Sequence, residues 1–551
     1  MFDFSPPAVP DFVKFYQLAA SLAREKQDLT SSDVIALLQE FNQRVTEIET
    51  AYKYHRLQYA CTRDKDDLQN QHECWLNELP SYTRAKAVVY HRLRSLQSDP
   101  DLASILPAPE LMAQAVASFP LNHEQIANEL RNIDDIQQFF YRLSFSDGVE
   151  EFAIWDRDKF FSQTDKRRRH MAYQSVAETM LAEQKQLLEL YSKMISGRAN
   201  QAKTGNLQYR AYTAITSSHS DLGIQELKKF REEAGELLKP VVAEILRQRS
   251  LRLEKCSYAE RMLFLPEAIL NTVPGNDTHQ KFLPVLRAIL GDASESFLVH
   301  LERGNFTEAA EMTFWLGEES SVIPQIPLVF LHLPHSKDAS SVQQLFANCG
   351  HALADVSAML NFPDQRYIQQ PHMIKELSAL IMAYIGGRYS AWFFNDDTNA
   401  ANLYNDSMLC KELCRASELL AIDEFEDHLY EFGNIPLEVD QIWQSVYAKY
   451  FPDSEFALDN YFAEGKAWQL EVNSLLSAYS SLHRVLALIT LLAEMPHYDR
   501  RNHLEKKLNN LWLSHPATPL LQRLKRAGFA SPLESETIKR AVFAAADILE
   551  L

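Results

Sequence analysis

Apolar residues along this chain recur at three- and four-residue intervals. Phe12, Phe15, Leu18 and Leu22 form the first run, and Val34, Leu37, Leu38, Phe41, Val45 and Ile48 the next. That spacing puts each run on one face of an α-helix, so residues 11 to about 145 are expected to be helical. Thr30-Ser31-Ser32-Asp33, Leu79-Pro80 and Asp99-Pro100 punctuate the pattern. Charged stretches such as Arg63-Asp64-Lys65-Asp66-Asp67 read as solvated helix faces. A second helical block begins near Ser162, with amphipathic stretches over 166–196 and 222–255, the latter running from Leu222 through Leu237, Val242, Ile245 and Leu251. Over 311–333 the texture changes to short runs of β-branched and aromatic residues, which predicts strand. Pro324 and Pro327 demote part of that segment to an edge or a turn.

Ser341-Val-Gln-Gln344 then matches a capping box, and a helix is expected to start there. Leu345, Cys349, Ala352, Val356 and Met359 make its apolar stripe, while Ala347, His351, Ala354 and Asp355 fall on another face. Asn361-Phe-Pro363-Asp ends it, and Pro371 suits the first turn of the next helix, which carries Glu376. Helical patterns continue from Leu475 to Leu492 and from Glu534 to Leu551, with no internal repeat and no low-complexity linker.

Composition supports the helical reading. Only 15 of 551 residues are glycine, far too few for the many tight turns of sheet-rich folds. The formal charge of −19 argues against nucleic acid or an anionic membrane as partner. The one dense basic run, Lys166-Arg167-Arg168-Arg169, reads as a solvated helix start or a set of internal ion pairs. Six cysteines in no regular framework suit a reducing compartment, and Cys410 and Cys414, one turn apart without a nearby ligand pair, read as packed. The start lacks a basic, apolar leader pattern, and the longest apolar stretch, Val485 to Ala493, is too short to span a bilayer. A cytoplasmic location is expected.

The candidate chemistry lies in residues 345–353, Leu-Phe-Ala-Asn-Cys-Gly-His-Ala-Leu, with Glu376 placed 25 positions after His351. Replacing Ala347 by His and Asn348 by Glu would give His-Glu-x-Gly-His-Ala-Leu. In such a helix two histidines at i and i+4 share a face, and a carboxylate from a neighbouring helix completes a three-ligand zinc site. The glutamate beside the first histidine takes the proton of the zinc-bound water. Here the late histidine and the distant glutamate remain, and the first histidine and the base do not.

These residues resemble the thimet oligopeptidase and oligoendopeptidase F family, and the oligoendopeptidase F branch most closely. The resemblance covers about residues 160–551, and Pro519-Leu-Leu-Gln-Arg-Leu-Lys-Arg-Ala-Gly-Phe is similar to the family's C-terminal stretch. It implies a mainly α, two-lobed helical zincin-type oligopeptidase fold, with a small β-sheet beside the motif helix and a deep cleft. Residues 1–150 would be an N-terminal helical lobe and 151–551 the catalytic-type domain. On this resemblance the first zinc histidine falls on Ala347, the general base on Asn348 and a later motif histidine on Ala354. Gly350 and the second histidine, His351, are kept, and Glu376 fits the third ligand. A family glutamate seven residues further on meets Ala383. The late histidine and tyrosines that steady the tetrahedral intermediate have no clear counterpart, since no histidine lies between Tyr461 and Tyr479; Tyr479 is the candidate for one tyrosine.

No catalytic residue is therefore intact, zinc is expected to be absent or weak, and no metal ligand set is assigned. His351 reads as a hydrogen-bonded cleft histidine and Glu376 as its acidic partner. The expected function is a peptide- or protein-binding pseudopeptidase. Two alternatives stand beside it. One is an active metallo-oligopeptidase with rearranged ligands drawn from His332, His335 or Cys349, although Cys349 lies on the apolar stripe. The other is a purely structural interaction scaffold.

Overall fold

The periodic segments fold as helices, in a computed structural model that describes residues 7–23, 31–62, 66–94, 122–161, 165–204, 222–250, 278–290, 320–323, 328–331, 340–361, 370–452, 461, 464–495, 503–515 and 518–551. Helices α1 (Phe12–Ala23), α2 (Ser31–Thr62) and α3 (Asp66–Arg94) close around Phe15, Phe41, Tyr82 and Tyr90, all buried, and form a core of their own. The break expected at Leu79-Pro80 is absent, because Pro80 sits inside α3. A mid-helix proline removes a backbone donor and crowds the preceding turn. Leu79 and Tyr82 in that turn are buried in the core, and their packing carries the helix through.

Helix α4 (His123–Arg142) starts at a capping box in which Asn122 and Gln125 bond each other's backbone N–H. A hairpin of two short antiparallel strands follows, β1 (Phe145–Ser146) and β2 (Glu151–Phe152), turning at Gly148 with φ 86°. Strands this short leave no alternating pattern in a sequence. Asp147 in the turn accepts from the backbone N–H groups of Val149 and Glu150. It also pairs with Arg168, whose Nη2 reaches Glu150 at 3.0 Å. The basic run thus supplies an internal ion pair at the start of the next helix.

That helix, α5 (Lys166–Thr204), runs beyond the stretch the pattern placed, and α6 (Ile224–Ser250) covers most of the second one, whose residues 251–255 lie outside the described residues; α7 (Thr278–Leu290) follows. Arg198 of α5 is 3% exposed. Its guanidinium donates to Glu129 of α4 at 2.7 Å, to the Tyr430 hydroxyl at 3.0 Å, and to the carbonyls of Leu475 and Leu476 at 2.8 and 2.7 Å. A buried cation is tolerated only when its donors are satisfied in this way.

The predicted strand segment forms an antiparallel pair, β3 (Ser320–Ile323) and β4 (Leu328–Leu331), with Ser320 opposite Leu331 and Ile323 opposite Leu328. Residues 311–319, 324–327 and 332–333 of that segment lie outside the described residues. Both strands pack beside α8 (Ser340–Asn361), and β3 also meets α2. The rest of the chain is α9 (His372–Gly387), α10 (Thr398–Phe432), α11 (Val439–Tyr450), α12 (Ser481–Leu492), α13 (His503–Trp512), α14 (Leu520–Ala527) and α15 (Ser535–Ile548). The continuous helix expected over 475–492 is interrupted: a short helical turn at Val472–Leu476 is followed by Tyr479 with φ 58° before α12 begins. Together with α4 through α7, these helices share a second, larger hydrophobic core. Among the described residues no helix is long and apolar enough to cross a membrane.

Helix α8 is covered on both faces. Cys349, Ala352 and Val356 of the expected stripe are buried, and so are Asn348, His351, Ala354 and Asp355. Its closest neighbour is α9. At Gly350 a methyl group would lie 2.7 Å from Ala379 Cα and would overlap the Ser378 carbonyl oxygen. Gly386 of α9 takes the ring of Phe346 from α8 in the same manner. Glycine inside a helix costs about 1 kcal/mol relative to alanine, and the backbone contact is what offsets it. Gly350→Ala is expected to destabilise the protein by about 2 kcal/mol or more, since overpacking against backbone outweighs the propensity gain. Denaturant unfolding checks this; a variant as stable as the parent would mean that the two helices separate at little cost.

Candidate functional site

The close approach of α8 and α9 sets His351 beside Glu376. His351 Nε2 lies 3.7 Å from Glu376 Oε1, and both residues are buried at 5–6% exposure. A second histidine joins from α9 itself: His372 is four residues before Glu376, and its Nε2 is 3.6 Å from the same oxygen. Its side chain is 46% exposed, so the cluster reaches solvent. The His372 ring meets His483 of α12 edge to face, with centroids 5.2 Å apart.

The other carboxylate oxygen of Glu376 is held by Arg484. Arg484 Nη1 donates to Glu376 Oε2 at 2.9 Å. Its Nη2 and Nε form a two-pronged contact with Glu412 of α10, at 2.7 Å to Oε1 and 3.1 Å to Oε2. One guanidinium therefore joins α9, α10 and α12. Planar, two-pronged contacts of this kind hold a carboxylate in a fixed orientation.

Toward the C-terminal part of α8, Asp355 pairs with Lys375 at 2.9 Å and accepts from the Gln370 backbone N–H at 2.9 Å. Gln370 in turn accepts from Arg523 of α14 at 2.6 Å. This network ties the ends of the segment between α8 and α9 to each other and to the C-terminal helices. Near the middle of the interface Trp512 Nε1 donates to Ser378 Oγ at 2.9 Å.

The remaining candidates fall into place around this cluster. Ala347 is partly buried, and Asn348 and Ala354 are fully buried on the motif helix. Cys349 is buried, and burial pushes its thiol well above the usual cysteine range, the reverse of what a thiolate ligand needs. His332 and His335 lie outside the described residues. Tyr479 donates its backbone N–H to Glu426 at 2.9 Å, and its ring lies 5.8 Å from that of Tyr430. His372, His483, Arg484 and Glu412 were not anticipated. The i, i+4 spacing of His372 and Glu376 was available as a signal; the other three come from helices distant in sequence and carry no local mark.

The zinc-peptidase helix motif places two histidines one turn apart and a base beside the first. Ala347 has no donor atom, and the Asn348 amide cannot accept a proton as a carboxylate does. Among the described residues no group of three or more His, Cys, Asp or Glu is arranged to hold a metal ion. The donor set in place does not match that of a catalytic zinc centre.

No protein-family profile and no curated protein sequence matches the chain. Solved structures do. PZ peptidase A, determined with an inhibitor, superimposes with a TM-score of 0.85 at 16% identity, over 100% of this chain and 99% of that one. The chain has the oligoendopeptidase fold. A protein assigned as an oligoendopeptidase F from Bacillus anthracis gives 0.82 at 14% identity, covering 100% and 97% of the two chains. Oligoendopeptidase F from Enterococcus faecium gives 0.60 at 13% identity, over 98% of each. The mainly helical architecture with a small sheet beside the motif helix is thus an oligoendopeptidase architecture along its whole length.

The ion pair under the site is expected to carry stability as well as position. Lys375→Met leaves Asp355 buried with its counter-charge removed, a loss of about 3 kcal/mol. Adding Asp355→Asn is expected to recover about 1–2 kcal/mol of that. A double-mutant cycle by denaturant unfolding measures both; additive losses would show that the two charges do not couple.

Proposed function

We propose that this oligoendopeptidase-fold protein has lost zinc binding and peptide hydrolysis, and that it holds a peptide or protein segment at the site around His351 and Glu376. One observation carries the reading. The motif helix presents Ala347 and Asn348 where a ligand and a base would be needed, while the carboxylate of Glu376 is already paired with Arg484. Removing a general base alone lowers rates by about 10²–10⁴, and without a zinc-bound water no activated nucleophile remains for a base to serve.

Binding outlives catalysis in this reading because it draws on different groups. The cluster opens to solvent through His372 and Arg484, 46% and 27% exposed. The mode of capture expected is backbone pairing of an extended peptide with the β3–β4 pair, which lies beside the motif helix. A neighbour of the same fold, PZ peptidase A, was solved with an inhibitor, which supports a ligand site in this architecture. The charge of −19 disfavours nucleic acid and anionic membranes as partners. Cys74 and Cys349 stand outside any disulfide, in keeping with work in a reducing compartment, the cytoplasm.

A second reading, a working metallopeptidase with rearranged ligands, is favoured by the approach of both His351 and His372 to Glu376. Metal analysis of the purified protein, with turnover of a quenched fluorescent peptide library, separates the two. The expected result is no stoichiometric zinc and no cleavage. About one zinc per chain with chelator-sensitive cleavage would establish the second reading instead.

Peptide capture has its own test. A peptide array followed by calorimetry is expected to identify extended peptides that bind the full-length protein. His372→Ala, a half-exposed position, is expected to weaken them by about ten-fold, or about 1.4 kcal/mol. Absence of any binding peptide, or binding indifferent to that substitution, would leave the interaction-scaffold role in its place.

A further inference from the structure

The geometry points to Arg484 as the resident cation of this site, neutralising Glu376 and Glu412 where an active relative would use a metal and thereby closing the site to divalent ions. This rests on the reading of the site as metal-free and supplies the physical cause that the missing ligands alone do not.

Ligand loss is an incomplete explanation because two histidines still meet one carboxylate oxygen. His351 and His372 both lie within 3.7 Å of Glu376 Oε1, and His483 packs on His372. As it stands this set is not arranged to hold a metal ion, but with the motif restored at 347 and 348 it would offer the imidazole and carboxylate donors that transition ions take. The deciding group is on the other side of the carboxylate. Arg484 is fixed by its two-pronged contact with Glu412, and that contact aims Nη1 at Glu376 Oε2 at 2.9 Å. Arginine does not deprotonate under any ordinary condition, so the positive charge is permanent. A divalent ion bound to Oε1 would stand on the same carboxylate as the guanidinium, where like charges repel strongly in a half-buried setting. It would also compete for a carboxylate whose second oxygen is already engaged.

The arrangement also accounts for why Glu376 persists as a buried carboxylate. A buried carboxylate without a partner is costly, and Arg484 is placed to compensate both it and Glu412, which are only 8% and 14% exposed. Arg484 is thus a positioning residue: it sets the orientation of the acid and does not itself need to touch a ligand.

The test compares full-length proteins by equilibrium dialysis against Zn²⁺ with metal quantification, and needs no activity. The proteins are the parent, the rebuilt variant Ala347→His/Asn348→Glu, and the rebuilt variant with Arg484→Gln, which keeps hydrogen-bonding capacity and drops the charge. The parent is expected to retain no zinc. The rebuilt variant is expected to bind it only weakly while Arg484 is in place, and Arg484→Gln to tighten that binding by about ten-fold or more. Arg484→Lys in the same background keeps a cation without the fork and is expected to show no such gain; it serves also if the glutamine variant does not fold. Three outcomes would each overturn the role of the Arg484 charge and leave the metal-free reading standing. They are equal zinc affinity of the rebuilt protein with and without Arg484→Gln, no zinc in either of those two proteins, and a gain from Arg484→Lys as large as that from Arg484→Gln. Stoichiometric zinc in the parent would instead overturn the metal-free reading itself.

Discussion

Two helices touch backbone to backbone at Gly350, and the rest of the site depends on that contact. With no side chain at 350, α8 settles against Ser378 and Ala379 of α9, and Phe346 settles in turn on Gly386. A wider spacing would take His351 away from Glu376, because both side chains span a gap set by the distance between the helix axes. The same spacing lets Trp512 reach the Ser378 hydroxyl and Lys375 reach Asp355. Glycine at this position is therefore a packing requirement first. That the motif of a zinc helix also places glycine there ties the chemistry of such a site to a close helix pair.

Around this pair the structure handles charge in one consistent way: arginines from one helix bind acids or carbonyls from others. Arg198 joins α4, α5 and α10 with the Val472–Leu476 turn. Arg231 of α6 donates to Asp423 and Asp427 of α10. Arg484 joins α9, α10 and α12. Such clusters add modestly to net stability, but the removal of one partner leaves a stranded charge, so they specify which helices must meet. In this oligoendopeptidase fold, the guanidinium held against Glu376 continues the same habit between α9, α10 and α12.

Much of this was readable from spacing. The helix periods and the strand segment before the motif helix follow from local pattern, because each depends on residues within one element, while the pairing of His351 with Glu376 comes from the family resemblance. What escaped did so for identifiable reasons. Pro80 reads as a stop, yet tertiary packing of Leu79 and Tyr82 overrides it. The break at Tyr479 rests on a left-handed backbone in a residue other than glycine, which composition does not announce. Arg484 lies 108 residues from the carboxylate it holds, and no local rule connects them. The second face of α8 was expected to be distinct from the apolar stripe, and both are buried because β3, β4 and α9 cover the helix from several sides.

The Arg198 clamp has a consequence for how the molecule is made. Its carbonyl partners at Leu475 and Leu476 lie 277 and 278 residues downstream, and Glu233 waits for Ser535 across 302 residues. The first three helices, by contrast, share a core of their own, with Leu130 of α4 packed against it. As the chain leaves the ribosome, the early core is therefore able to form at once. Helix α5 can take Glu129 as its first anchor, but the rest of the Arg198 clamp must wait until almost the whole protein has emerged. The interval before the clamp can close is set by the length of chain still to be synthesised.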